Sequence, residues 1–169
     1  MSQRFHAMVA PDTGTGRTRR AGGRASPFET PQLHAFDLLL RTASELDQQV
    51  ARLLKPAAVT PAQYNVLRIL RGAGGAGLPC GEISERLVRH DPDVTRLLDR
   101  LEAQGFVARS RDSEDRRVVI ARITGKGVEL LDSLGESIAA LHARQFGALG
   151  RDDFRALVAL LHELRGAER

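Results

Sequence analysis

The chain of 169 residues has one cysteine, no tryptophan, a single tyrosine and only two lysines among its 25 basic residues, and each shortage narrows its chemistry. Cys80 alone cannot build an internal disulfide framework and suits a reducing compartment. No stretch approaches the ~20 apolar residues of a membrane span, and the first residues lack the apolar run of a secretory signal. A cytoplasmic protein without a membrane partner is therefore expected. The histidines His6, His34, His90, His142 and His162 have no tight ligand spacing, which argues against a metal centre. The run GAGGAG at 72–77 lacks the lysine and following Ser/Thr of a phosphate-binding loop and reads as a flexible connection. With no convergent nucleophile and base and no cofactor loop, neither an enzyme nor a cofactor is expected.

The positive charge that is present sits mostly at one end. Arg4, Arg17, Arg19, Arg20 and Arg24 face only Asp12 and Glu29 within residues 1–30, so this stretch carries three of the four net positive charges. The remainder is close to neutral, and global charge says little about a nucleic-acid partner; the placement of individual arginines must decide. Residues 1–28, with TGTGRTRRAGGRAS, have too little apolar content to offset chain ordering and read as a mobile basic tail. Such a tail is either simply unstructured or an arm adding weak, salt-sensitive phosphate contacts.

From Pro31 to about Leu54, two adjacent stripes of apolar residues, one through Leu33, Phe36, Leu40, Val50 and Leu54 and one through Leu39, Leu46 and Leu53, predict a helix with a wide apolar face, ended by Pro56. Thr60, Pro61 and Gln63 form a capping-box start for a second helix to about Arg71. Gly81 to about Val88 reads as a short helix with Ile83 and Leu87 inward.

The stretch Asp91–Thr124 organises the rest. Asp91 as cap, Pro92 at the first helical position and Gly105 as terminator predict a helix at about 92–104. Its residues Val94, Leu97, Leu98 and Leu101 fall on one side, and Arg96, Asp99, Arg100 and Ala103 on the other. Phe106–Ser110 and Val118–Ile123 then read as two strands around the polar, arginine-rich RDSEDRR. Thr124 caps a further helix striped by Val128, Leu131, Leu134, Ile138, Leu141 and Leu149, running more than six turns, and a last helix spans Asp153–Leu164. A helix that fits the major groove beside a basic hairpin is the pairing of a winged helix-turn-helix.

The segment VTRLLDRLEAQGFVARSRDSEDRRVVIARITGKGVELL resembles the signature of the MarR family of bacterial transcription factors. The match lies in the VTRLLDRLE helix, the GFV turn, the DRR of the hairpin and the ITGKG start of the next helix, and it extends more loosely from about Pro31 to the C-terminus. The resemblance implies a mainly α fold with a small β-hairpin wing, within a MarR-type domain at 29–169. The winged helix-turn-helix lobe would be 60–124, flanked by dimerisation helices at 31–55 and 125–165. It further implies a homodimeric repressor or activator on a pseudo-palindromic double-stranded operator, whose grip responds to a small molecule, often an aromatic or phenolic acid, or to an oxidant. A constitutive architectural DNA-binding protein is the alternative.

Thr95, Arg96 and Arg100 are the candidate groove contacts, since arginine chelates O6 and N7 of guanine and threonine meets a thymine methyl or a phosphate. Arg96 and Arg100 could instead pair with Asp99 and Glu102 on a solvated face. Asp93 is either part of the helix cap or a cytosine reader. Ser84 and Arg89 would approach the backbone, by resemblance; strand alternation puts Arg109 and Arg111 on one face of the wing base, where at least one is expected to meet a phosphate. The resemblance gives Asp115 the task of holding the hairpin through an ion pair and sends Arg117, next to Arg116, into the minor groove. His34, Arg41 and Tyr64 are candidate effector contacts. Cys80 is either buried filler or, if amides at a helix start lower its pKa, a redox sensor.

Overall fold

A computed structural model describes residues 30–87, 93–113 and 115–166. The chain divides into two units, residues 1–38 and 39–169. Of the first, residues 30–38 are described: Thr30 opens helix α1 (Pro31–Leu54), its hydroxyl accepting from the Leu33 amide at 3.2 Å, and Leu33, Phe36 and Leu38 are exposed.

In the second unit, α1 ends in a tight turn, Lys55–Ala57, that contains the expected Pro56. The backbone then passes through a left-handed Ala58 (φ 55°) into α2 (Pro61–Ala73). The predicted capping box is complete: the Thr60 hydroxyl accepts from the Gln63 amide at 3.2 Å, and Gln63 Oε1 accepts from the Thr60 amide at 2.9 Å. This helix is the centre of the unit. Its Val66, Leu67 and Leu70 are fully buried, and it packs against the helices Cys80–Arg86, Val94–Ala103 and Gly125–Gln145 and the strand Val119–Ile123.

The glycine run after α2 is ordered rather than a loose connection. Gly74–Ala76 makes one 3-10 turn, and Gly77, at φ 73°, lies so close to Ala121 that a side chain would overlap its carbonyl. That approach seats a two-residue strand β1 (Leu78–Pro79), which the sequence pattern did not predict, against the wing. The short helix α3 follows as Cys80–Arg86, one residue earlier at its start than predicted.

Helix α4 (Val94–Ala103) begins later than 92, with Asp93 as its cap; the predicted signals Asp91 and Pro92 lie outside the described residues. Its end is as predicted. Gly105 is left-handed at φ 76°, its amide donates to Glu102 O at 2.8 Å, and the next amide, of buried Phe106, donates to Leu101 O at 2.9 Å. That is the Schellman pattern, and it turns the chain directly into the hairpin β2 (Val107–Arg111) and β3 (Val119–Ile123). The sheet is antiparallel with order β1-β3-β2, so β3 is central and β2 is an edge.

Thr124 caps α5 (Gly125–Gln145) through the Gly127 amide at 3.2 Å. This helix stops before Leu149, so the stripe read as one helix of more than six turns is broken, and Leu149 lies exposed in the connection to α6 (Arg151–Gly166). The core is one cluster, with Leu54, Leu67, Leu70, Ile83, Leu98, Leu101, Val107 and Leu131 at its centre. The fold is thus mainly α with a small antiparallel sheet. Among the described residues no helix is long and apolar enough to cross a membrane.

Candidate nucleic-acid interface

Helix α4 divides by face as its periodicity requires. Val94, Leu97, Leu98 and Leu101 are buried, while Thr95, Arg96 and Arg100 are exposed on the opposite side. Asp93 has the structural role: its Oδ1 accepts from the Arg96 amide at 3.1 Å, and its Oδ2 pairs with Arg96 Nε at 2.9 Å. The Arg96 side chain is nevertheless 77% exposed. Arg100 has no carboxylate partner among the described residues.

Asp99 and Glu102 do not pair with Arg96 or Arg100. Both are taken by Arg109 of β2, whose Nη2 lies 2.6 Å from Asp99 Oδ1 and 2.6 Å from Glu102 Oε2. Arg109 Nε donates to Glu102 Oε2 at 2.9 Å and its backbone amide to Glu102 Oε1 at 3.1 Å. Two carboxylates thus hold the charge of Arg109, whose side chain is only 23% exposed, while Arg111, the other wing-base candidate, is exposed. The same contacts hold the Glu102 carboxyl below its ordinary pKa, first through the Arg109 side-chain hydrogen bond.

At the wing tip the backbone is braced by carboxylates. Asp115 Oδ1 accepts from the Arg117 amide at 2.9 Å, and the Asp115 amide donates to Asp112 Oδ1 at 3.1 Å. Asp115 thus holds the hairpin as an Asx-type turn, and among the described residues it has no ion pair of the kind expected; a short carboxylate reaches the amide two residues on without a cation. Arg111 Nη1 reaches the Arg116 carbonyl at 3.2 Å, and the side chains of Arg116 and Arg117 stand exposed. Sequence reasoning missed Arg122, which donates from Nη1 to Ser110 Oγ at 2.8 Å and from Nε to Gly75 O at 3.2 Å, tying the hairpin to the glycine turn. Ser84 is half-buried on α3, and Arg89 lies outside the described residues.

The family model for the MarR family matches residues 59–119, from the turn before α2 to the first residue of β3. An HTH-type transcriptional regulator of Bacillus subtilis, YkoM, is 31% identical over 129 residues, 76% of this chain and 82% of that protein. The chain belongs to the MarR family. Solved structures agree: a MarR transcription factor from Planctomyces limnophilus is 34% identical with a TM-score of 0.63, covering 80% of this chain and 98% of that one. A mutant MarR from E. coli complexed with operator DNA is 26% identical with a TM-score of 0.74, covering 82% of this chain and 99% of that one. The MarR family is one of transcriptional regulators, not of enzymes.

Within this MarR-family chain, the second unit contains a cleft of about 470 Å³ lined in part by Asp47, Val50, Thr60, Tyr64, Arg68 and His142. Of the three effector candidates, Tyr64 lines it. Arg41 does not, and His34 belongs to the other unit. Arg68 was missed, although its place one turn beyond Tyr64 on α2 puts both on one face. Among the described residues no group of three potential ligands could hold a metal ion.

Cys80 is the first residue of α3, half-buried, and burial pushes its thiol above the ordinary range; Arg109 opposes this with a smaller effect. Of the two readings of Cys80 this direction favours buried filler, because removal from water outweighs the local dipoles of a seven-residue helix.

Proposed function

We propose that this MarR-family chain is a homodimeric, sequence-specific regulator of double-stranded DNA, laid out in the domains its sequence suggests. The observation that carries the reading is α4, which buries its leucines and turns Thr95, Arg96 and Arg100 outward beside a hairpin tipped by Arg116 and Arg117. Thr95, Arg96 and Arg100 enter the major groove, Arg117 the adjacent minor groove, and Arg111, Arg116, Ser84 and Arg89 the phosphate backbone.

Two copies related by a two-fold axis place their recognition helices on half-sites about one helical turn apart, so the operator is pseudo-palindromic. The exposed Leu33, Phe36, Leu38 and Leu39 of α1 and Phe154, Leu160, Leu161 and Leu164 of α6 support a second subunit. Repression is the action that requires nothing beyond occupancy of a promoter. The cleft beside Tyr64 and Arg68 has the size and mixed lining of a small-molecule site, and an aromatic acid there releases the operator by shifting the population of recognition-helix spacings.

The test is fluorescence anisotropy with DNA from upstream of the chain's own gene and with shuffled DNA of equal length. Retention of the cognate fragment against excess shuffled competitor is expected, and loss of it when an aromatic carboxylic acid is added. Binding that depends only on DNA length would overturn the regulator in favour of an architectural protein.

A further inference from the structure

Resting on the DNA-binding role proposed above, we infer that Arg109 is a positioning residue: it clamps the wing to the recognition helix so that the two read DNA as one rigid unit. The geometry is specific to that task. One guanidinium on β2 engages two carboxylates one turn apart on α4, Asp99 and Glu102, and the Arg109 backbone amide engages Glu102 as well. Four donor contacts thus join the two DNA-facing elements within a single side-chain cluster, and Arg109 is far more sheltered from water than Arg96.

Two consequences follow from the arrangement. The strand at the sheet edge has its Arg109 amide satisfied by a helix side chain, which fixes the strand against α4 and covers an otherwise open backbone group. Asp99 and Glu102 stand on the same helix as Arg96 and Arg100, and unpaired they would repel phosphate; the clamp neutralises them without using a residue that must touch DNA. A lysine could not do both, because the two-point grip on Glu102 and the reach to Asp99 use the planar fork of arginine.

The experiment compares the cost of losing a wing-tip contact in two backgrounds, the native chain and the charge-neutral pair Glu102→Gln/Arg109→Met, by anisotropy on operator DNA. In the native chain Arg117→Ala is expected to weaken binding at least about fivefold; in the unclamped background the same substitution should cost less than about twofold. Arg96→Ala should cost the same in both, because α4 remains seated by its own leucines. An Arg117→Ala effect that is equal in the two backgrounds overturns the clamp, and so does a collapse of the Arg96→Ala effect alongside it, which would mean general loosening. Should the double variant melt below assay temperature, Arg109→Lys takes its place, with a partial loss of the wing contribution expected and an undiminished one counting against the clamp. Amide exchange of residues 107–123 without DNA gives an independent readout: at least tenfold acceleration in the unclamped protein is expected, and unchanged exchange refutes the clamp even if the native chain fails to bind DNA, a failure that would refute only the regulator reading.

Discussion

Helices α4 and α6 each leave one face open, and the two faces have opposite chemistry. On α4 the apolar stripe finds its complement inside the chain, and what remains outside is polar, with Thr95, Arg96 and Arg100 beside Asp99, which Arg109 holds. On α6 no residue is buried, and Phe154, Val158, Leu160, Leu161 and Leu164 remain exposed. A hydrated arginine face is stable in water and waits for a charged partner, whereas a row of exposed leucines and phenylalanine gains free energy only when another apolar surface covers it. On the proposed reading, the contrast separates two associations: charge and shape for DNA, apolar burial for a second copy.

The largest effect should come from placing charge on the apolar face. Burial of one leucine contributes about 1.5–3 kcal/mol, and Leu161→Glu/Leu164→Glu removes such contributions from both copies. Sedimentation should then show a monomer at concentrations where the native chain is a dimer, with operator affinity lost in parallel. A dimer that survives the double substitution would mean that α6 is not the contact.

Next in size are the arginines. Arg96→Ala and Arg117→Ala should each cost roughly 1–3 kcal/mol of operator binding while leaving the dimer intact. Arg96→Ala should also relax preference at one base position, whereas Arg117→Ala should reduce preference for A·T-rich flanks. If either substitution changed dimerisation instead, the division between the two faces would fail.

Smaller again is the capping box. Thr60→Ala removes one partner of the reciprocal pair with Gln63 and should lower stability by about 0.5–2 kcal/mol, measured by urea denaturation. DNA affinity extrapolated to fully folded protein should not change.

The smallest effects are protonic. Glu102 has a folded-state pKa below its unfolded value, so the stability it contributes is fully present above about pH 4.3 and is lost as pH falls through the lower folded value. Glu102→Gln should flatten that acid limb. Cys80 has the reverse shift, and its thiol should therefore stay protonated at neutral pH and alkylate more slowly than a free cysteine thiol; rapid modification by iodoacetamide at pH 7.5 would restore the redox alternative.

What the sequence made legible was local. The Thr60 box, the Gly105 terminator and the alternation of apolar and charged residues along α4 are set by neighbours three or four positions apart, and the structure has them as expected. The wing hairpin was legible through its β-branched runs, but β1 was not, because two residues carry no period and the strand exists only through Gly77 meeting Ala121. Arg109 illustrates the harder limit. Strand alternation puts it on the same side as Arg111, yet its partners stand seven and ten residues back on a helix whose angle to the strand no one-dimensional pattern gives. For Cys80 the sequence left two readings open, because its place at a helix start is local and the burial that raises its thiol pKa is tertiary.

The junction between α4 and α5 has a mechanical consequence. The Thr124 hydroxyl donates to Gly105 O at 2.7 Å, the Thr124 amide to Phe106 O at 3.0 Å, and Lys126 Nζ to Gln104 O at 2.8 Å while sitting 5.0 Å from the centre of the Phe106 ring. The base of α5 is thereby riveted to the tail of α4. A helix of 21 residues is about 30 Å long, so any rotation of α5 about that rivet would be magnified along its length: a turn of roughly 5° would displace its far tip by ~3 Å.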